Sequence, residues 1–515
     1  MEKKKPIILS VIALLALVAL VVGATFAYFQ AQVGEGKSAD VVVKSYTVDT
    51  FTFSTGSQIS LNLDQENFAS GKGNITGSTY ASATLTANNK TNTATEHYYL
   101  YLNIENNTFT YSINESTPEI IMTITDNAGT EVTDITGLTH TSVTDASGAT
   151  ISGYDITNKN GLITLFNNRE ITTTSSKEEK WNITITFVNY DASQNGNAGK
   201  SMSAKIMIQK EKITLLADYV KSLYTGTQGD NSIYYHDSSL INGAGDSSYR
   251  YSGANPNNYV CFGSNENTCP TDNLYRIIGV FGDQVKLIKY DYATSSLLGT
   301  DGDYKGQYTD GNSTYKGNNY ANIAEYYWNN STQTNTWSES LLNKTNLNTN
   351  FINNIGTEWA SKIATTTWKV GGNTFANISQ VVPSVSYQNE IVNPVTTNTT
   401  DNATEYTAKI GLMYVSDYGF AAEPSAWTRK LSNNSGNGYS NAAVTSVNWM
   451  YMGLYDWTIS RYVDDSRYAF RVDYGGNVGN GSVFGDGAVR PSFNLESSIT
   501  YVSGSGSASD PMVIN

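Results

Sequence analysis

Strict alternation of apolar and polar residues, in short runs through the first 212 positions, restricts this chain more than any other feature. Trp181, Ile183, Ile185 and Phe187 interleave with Asn182, Thr184 and Thr186. A strand puts successive side chains on opposite faces, so such a run buries one face and wets the other. Tyr98, Leu100, Leu102 and Ile104 repeat the pattern, as do Ile59, Leu61 and Leu63, and Ala204, Ile206 and Ile208. Ile120, Met122 and Ile124 run into Asp126-Asn127-Ala128-Gly129, a turn signal. Many short strands with Asn/Gly-rich connections and no helical stretch predict an antiparallel jelly roll or β-sandwich.

The period changes after Lys212. Ile213, Leu216, Val220 and Leu223 fall at helical spacing and predict a short amphipathic helix opening a second domain. Phe351, Ile355, Trp359 and Ile363 form a second helical stripe, bounded by Gly371-Gly372 and expected to pack in a core. Between them strands resume: Leu274 to Phe281 and Val285 to Tyr290 flank Gly282-Asp283, and Tyr468 to Tyr474 precede Gly475-Gly476, both hairpin signals. The stretch 292–350, rich in Asn, Thr, Tyr and Gly, predicts long loops over an α+β core. The expected organisation is 1–27, 28–212 and 213–515, in a chain that is mainly β.

The first segment is a targeting signal. Lys3, Lys4 and Lys5 precede an apolar run from Pro6 to Val22, followed by Gly23-Ala24-Thr25-Phe26-Ala27. Thr25 and Ala27 stand where a signal peptidase reads small residues, so cleavage between Ala27 and Tyr28 is expected. A retained anchor is the alternative, because about 20 apolar residues suffice to cross a bilayer. Either way the rest is extracellular or at the cell surface, and residues 510–515 carry no hydrophobic tail. Charged residues make up only 15% of the chain and the net charge is −14. Basic residues number 15 against 20 acidic ones up to residue 212, and 17 against 26 beyond, so neither part hides a basic face for nucleic acid or anionic lipid.

Gly23-Ala24-Thr25-Phe26-Ala27-Tyr28-Phe29, with the alternating strands that follow, resembles the signal and jelly roll of the TasA/camelysin family over roughly residues 1–212. That resemblance implies a SipW-type signal peptidase as partner and a surface or biofilm-matrix protein, with self-assembly through this module. The second domain resembles the C-type-lectin-like modules of bacterial surface proteins, related in fold to formylglycine-generating enzymes. The likeness rests on Asn258 to Gly263, Leu274 to Phe281, Trp457-Thr458-Ile459-Ser460-Arg461 and Val489 to Leu495. It implies adhesion: recognition of a glycan or a surface protein.

The residues themselves offer little catalytic chemistry. Camelysin's classing as a metallopeptidase calls for two histidines one helical turn apart, yet His97, His140 and His236 are widely separated and no HExxH occurs. No G-x-S-x-G elbow or P-loop is present, and Phe484 replaces the third glycine after Gly479 and Gly481. A surface hydrolase is therefore the third reading, behind recognition and a purely structural fibre subunit; neither a cofactor nor a metal is expected. Asp301, Asp303 and Asp310 invite a calcium reading, but Lys305 and Asn312 occupy two ligand positions of the hand-loop pattern, leaving a solvated acidic loop. The two cysteines, Cys261 and Cys269, predict one disulfide in an exported chain, with a two-ligand metal site as the weaker reading. Trp457 and Arg461 are expected in the core. Asp464, Asp465 and Arg467, in a polar segment just beyond, are the candidate ligand-binding residues, although mutual salt bridging explains them equally. N-terminal sequencing of the exported protein should begin at Tyr28; a mature chain starting at Met1 would establish the anchor.

Overall fold

A computed structural model describes residues 41–42, 49–64, 73–88, 92–309, 315–317, 319–374, 378, 380–396, 404–432, 438–439 and 442–515. The expected signal segment with its Ala27–Tyr28 cleavage point, and Asp310 and Asn312, lie outside the described residues. The chain is mainly β. It divides into two compact units at Lys212/Ile213. Among the described residues no helix is long and apolar enough to cross a membrane.

The first unit consists of β1 (Val41–Val42), β2 (Thr50–Thr55), β3 (Ile59–Asn62), β4 (Ile75–Thr86), β5 (Ala94–Asn107), β6 (Ile120–Thr125), β7 (His140–Thr144), β8 (Thr150–Asp155), β9 (Gly161–Thr173), β10 (Ser176–Phe187) and β11 (Ser201–Gln209). They form two antiparallel sheets, ordered β1-β2-β4-β10-β6-β8-β7 and β3-β11-β5-β9. The alternating residues explain why the sheets share a core. Ile183 and Ile185 from β10, and Ile120, Met122 and Ile124 from β6, bury against Leu100, Leu102 and Ile104 of β5 and Ala204 of β11. Polar ties cross the same boundary: the Trp181 indole N–H donates to the Tyr98 hydroxyl (2.8 Å), which donates to Glu179 (2.7 Å). At one end Glu119, fully buried, accepts from the Ser112 and Ile113 N–H groups and from the Gln194 and Asn197 side-chain amides. One carboxylate thereby satisfies several donors that would otherwise be stranded away from water.

In the second unit the helix Leu216–Ser222 packs Leu216, Ala217 and Val220 into the core. The main sheet is antiparallel throughout, in the order Ile233–His236, Ser248–Tyr251, Leu274–Phe281, Gln284–Lys289, Ser492–Asn494, Ile410–Gly411, with Tyr259–Cys261 also on Leu274–Phe281. Its central hairpin turns at Gly282, whose φ of 61° suits glycine. A smaller sheet places Asp456–Tyr462 between Tyr468–Val472, antiparallel, and Gly372–Asn373, parallel. The two ends of this unit pair with each other: the Leu216 N–H donates to the Ile499 carbonyl and Tyr501 N–H to Thr214, and the Tyr219 and Tyr501 rings stack at 3.6 Å.

Three expectations need correction here. The stripe from Phe351 to Ile363 is not one helix. It breaks at Gly356 (φ 82°) into Ile352–Asn354 and Thr357–Ser361, although Phe351, Trp359 and Ile363 are all buried. The supposed loop before it contains a π-helix, Leu342–Phe351, which buries Asn343 and Asn346 beside Leu342 and Leu347. Nor is Asp303 solvated. It is buried and accepts the N–H groups of Asn330 (3.0 Å) and Leu342 (2.9 Å), so its carboxylate caps the start of that helix. Cys261 and Cys269 are disulfide-bonded. Replacing both with Ser should lower stability by about 2–3 kcal/mol, the chain-entropy value for a short loop. Urea titration of the full chain checks this.

Candidate functional site

Each residue singled out from the sequence has a definite place. Trp457 is fully buried and donates its indole N–H to the Tyr326 carbonyl at 2.9 Å. Glycine at 481 and 487 makes room for the indole, since a Cβ at either would come within 2.7 Å of it. Arg461, on the same strand, is also buried and donates through Nε to the Val370 carbonyl at 2.5 Å. Asp464, Asp465 and Arg467 lie on the turn between Asp456–Tyr462 and Tyr468–Val472. The Arg467 guanidinium grips Asp465 through Nε (3.1 Å) and Nη2 (2.7 Å), and the Arg467 N–H donates to the same carboxylate. From behind, the amide of buried Asn335 donates to the carbonyls of Tyr462 and Tyr468, both at 2.8 Å. That geometry closes and anchors a turn. His97 lies 3.5 Å from Glu170 and His140 2.8 Å from Glu131, while His236 is buried. Among the described residues no three or more His, Cys, Asp or Glu side chains group at a metal-sized site.

The second unit has an open cavity of about 460 Å³ elsewhere, where residues 229–234, 252–255 and 423–425 meet. Backbone bonds join these stretches. The Ser252 N–H donates to the Ser232 carbonyl (2.9 Å), Gly253 N–H to Ala421 (3.0 Å) and Trp449 N–H to Gly253 (2.9 Å). The walls hold unusual backbone: Gly229 (φ 91°), Asn231 (53°), Ser232 (60°) and Gly253 (112°) are all left-handed. For non-glycine residues this costs on the order of 1 kcal/mol each, and such outliers concentrate at binding sites. Glycine is needed at 229 for a second reason. A Cβ there would lie 2.7 Å from the Tyr234 hydroxyl oxygen, and so would crowd the phenol.

Tyr234 stands edge-on to fully buried Trp427, with ring centroids 5.4 Å apart. Burial first, and the charge of Glu423 second, hold its hydroxyl above the usual tyrosine range, so it stays a donor at neutral pH. Glu423 is exposed and, among the described residues, has no ion-pair partner. Ser232, Ser425 and Asn255 add hydroxyl and amide groups to the lining. An aromatic ring, neutral hydrogen-bonding groups and one anion can hold a polyhydroxylated or cationic ligand. The reading of the sequence missed all of these residues. The available signals were the glycines at 229 and 253 and the Asp230-Asn231-Ser232 turn, but nothing in the sequence shows that they meet Glu423.

No protein-family model, no curated protein and no solved structure matches the chain.

Beneath Tyr234, His236 accepts the Ala244 N–H on Nδ1 (3.0 Å) and packs its ring on Phe420 and Trp427. Burial, with the nearby Arg250 charge, pushes its pKa well below 6.5. The unfolded chain therefore binds a proton below about pH 6.5 that the folded chain refuses, and stability falls as pH drops through that window. Glu390 and Asp456 act in the opposite sense. Burial raises them to about 7 and about 6, so they favour the folded state most at low pH and lose that contribution as pH rises toward those values. Comparing thermal unfolding of wild type and His236→Phe between about pH 7 and pH 5 isolates the histidine. The variant should be less stable overall and should lose less stability on acidification than wild type.

Proposed function

We infer that this chain is an exported surface or biofilm-matrix protein whose second unit recognises a glycan. In this reading residues 28–212 form a TasA/camelysin-like jelly roll, exported through a SipW-type peptidase and able to self-assemble. Residues 213–515 form the C-type-lectin-like adhesion module, and no enzymatic step is involved. The observation that carries the reading is the cavity in which Tyr234 and unpaired Glu423 stand together, with glycine at 229 leaving room for the Tyr234 hydroxyl. A phenol ring offers a flat apolar face to a sugar at little entropic cost, and the surrounding hydroxyl, amide and carboxylate groups match sugar hydroxyls. A chain of net charge −14 disfavours acidic sugars, so neutral or amino sugars are the expected class.

The test is a glycan array, carrying basic peptides as well, probed with the full mature chain. Against the best neutral or amino-sugar ligand, Tyr234→Ala should weaken binding roughly tenfold or more, as truncation of a central aromatic anchor does. Glu423→Gln should weaken amino-sugar binding more than neutral-sugar binding. The triple variant Asp464→Ala/Asp465→Ala/Arg467→Ala should bind unchanged while remaining folded. If the triple variant loses binding and the cavity variants keep it, the site is the turn. Saturable binding to peptides alone would replace the glycan with a protein ligand, and filaments with no binding would leave the fibre-subunit reading.

A further inference from the structure

A cluster of ionisable groups lies inside the second unit, and ligand recognition does not use it. Lys286, on the central strand Gln284–Lys289, and Asp417, on the helix Val415–Phe420, are both buried. Lys286 Nζ lies 2.6 Å from Asp417 Oδ2. Three aromatic rings close round the ammonium: Tyr414 at 4.5 Å, Trp368 at 5.4 Å and Phe281 at 5.9 Å. On the other carboxylate oxygen, Arg250 Nη1 stands 3.5 Å from Oδ1, and that nitrogen is buried without a hydrogen-bond partner. Glu390, also fully buried, accepts the N–H of Ser416, the neighbour of Asp417, at 3.0 Å and the Ser460 hydroxyl at 2.5 Å.

An amine held against a carboxyl group, with a guanidinium facing the carbonyl oxygen, a second carboxyl group close by and a surrounding of aromatic rings, is the constellation for amide condensation. We propose that Lys286 and Asp417 join in an isopeptide bond, a covalent cross-link between sheet and helix. Across the 2.6 Å contact the ammonium proton passes to Oδ2, leaving a free amine and a neutral carboxylic acid. The nitrogen lone pair attacks Cγ, and the carbonyl electron pair moves onto Oδ1, where the Arg250 guanidinium meets the developing charge. One proton passes from nitrogen to Oδ2, and Glu390, whose charge bears on Lys286, is the base for that transfer. The Cγ–Oδ2 bond then breaks, water leaves, and the carbonyl re-forms. Atoms balance as amine plus acid giving amide plus water, with nothing oxidised or reduced and no co-reactant.

Two effects of burial favour the step. Desolvation lowers the Lys286 pKa, enlarging the free-amine fraction, and raises Glu390 to about 7, where a carboxyl group gives and takes protons readily. Holding the amine against the carboxyl group supplies the proximity that raises effective concentrations to about 10⁵ M or more in well-oriented intramolecular reactions.

The experiment is peptide mapping of the full chain, folded, then denatured and digested with trypsin. The expected product is a branched peptide in which Ile277–Lys289, uncut at Lys286, is joined to Ile410–Arg429 and weighs one water less than the two together. Asp417→Asn should give a branched peptide of identical mass, because condensation with an amide expels ammonia in place of water. Glu390→Gln, with a far-UV spectrum matching wild type, should give the two peptides separately. Separate peptides cleaved after Lys286 from folded wild-type chain would overturn the cross-link, and a branched peptide from folded Glu390→Gln would overturn the relay by Glu390.

Discussion

The carboxylate of Asp417 takes up a lysine from the main sheet, an arginine from the strand Ser248–Tyr251 and the N–H of Tyr414 at the start of its own helix (3.0 Å). Arg250 is held in turn by Asp246 at 2.6 Å, and its guanidinium lies over the rings of Phe281, Tyr387 and Phe420. Burying so many charges is expensive, and until the amide forms it is tolerated only because each meets a partner; taking one away typically costs about 3–5 kcal/mol. What the arrangement provides is position. The helix after Tyr414 can dock on the sheet in one place only, and that placement carries Phe420 to Ser425 to the edge where the cavity forms. Arg490 with Asp456 at 2.6 Å, and Arg276 with Asn258 at 2.7 Å, fix the neighbouring layers in the same way.

These internal charges mark the limit of what the sequence discloses. A period-two run states its own geometry, so the strands around Trp181, Tyr98 and Ile120 could be read directly, as could the hairpin at Gly282-Asp283. Lys286, Arg250 and Asp417 could not: Lys286 alternates with Val285 and Leu287 as a solvent-facing strand residue would, and a charge among polar neighbours reads as surface. The π-helix Leu342–Phe351 was hidden for a related reason. Its sequence, Leu-Asn-Lys-Thr-Asn-Leu-Asn-Thr-Asn-Phe, has the composition of a loop, yet Asn343 and Asn346 are buried and spend their amides on the carbonyls of Trp337, Leu298 and Asp301. Asparagine here is a core residue that carries its own hydrogen bonds, and hydropathy cannot register that.

The cavity was illegible on other grounds. Its walls come from two segments about 20 positions apart, 229–234 and 252–255, and a third, 423–425, some 170 to 195 positions away, all short and with no period. Two of the three stretches share a conformation: the backbone at 229, 231, 232 and 253 is left-handed. The turn at Asp464 to Arg467 shows the converse. Its charges are conspicuous in the sequence, and in the fold Arg467 and Asp465 satisfy each other while Asn335 secures the backbone behind them.

The second unit begins and finishes at one seam, where Thr214 and Leu216 pair with Tyr501 and Ile499 and two tyrosine rings stack across the join. That pairing closes the stretch from 214 to 501 on itself, so main-chain bonds as well as side-chain packing hold its first helix in place. The last residues are tied further in: Met512 exchanges backbone hydrogen bonds with Tyr259 and Cys261, so a load drawn between the two ends meets the main sheet as well as the seam.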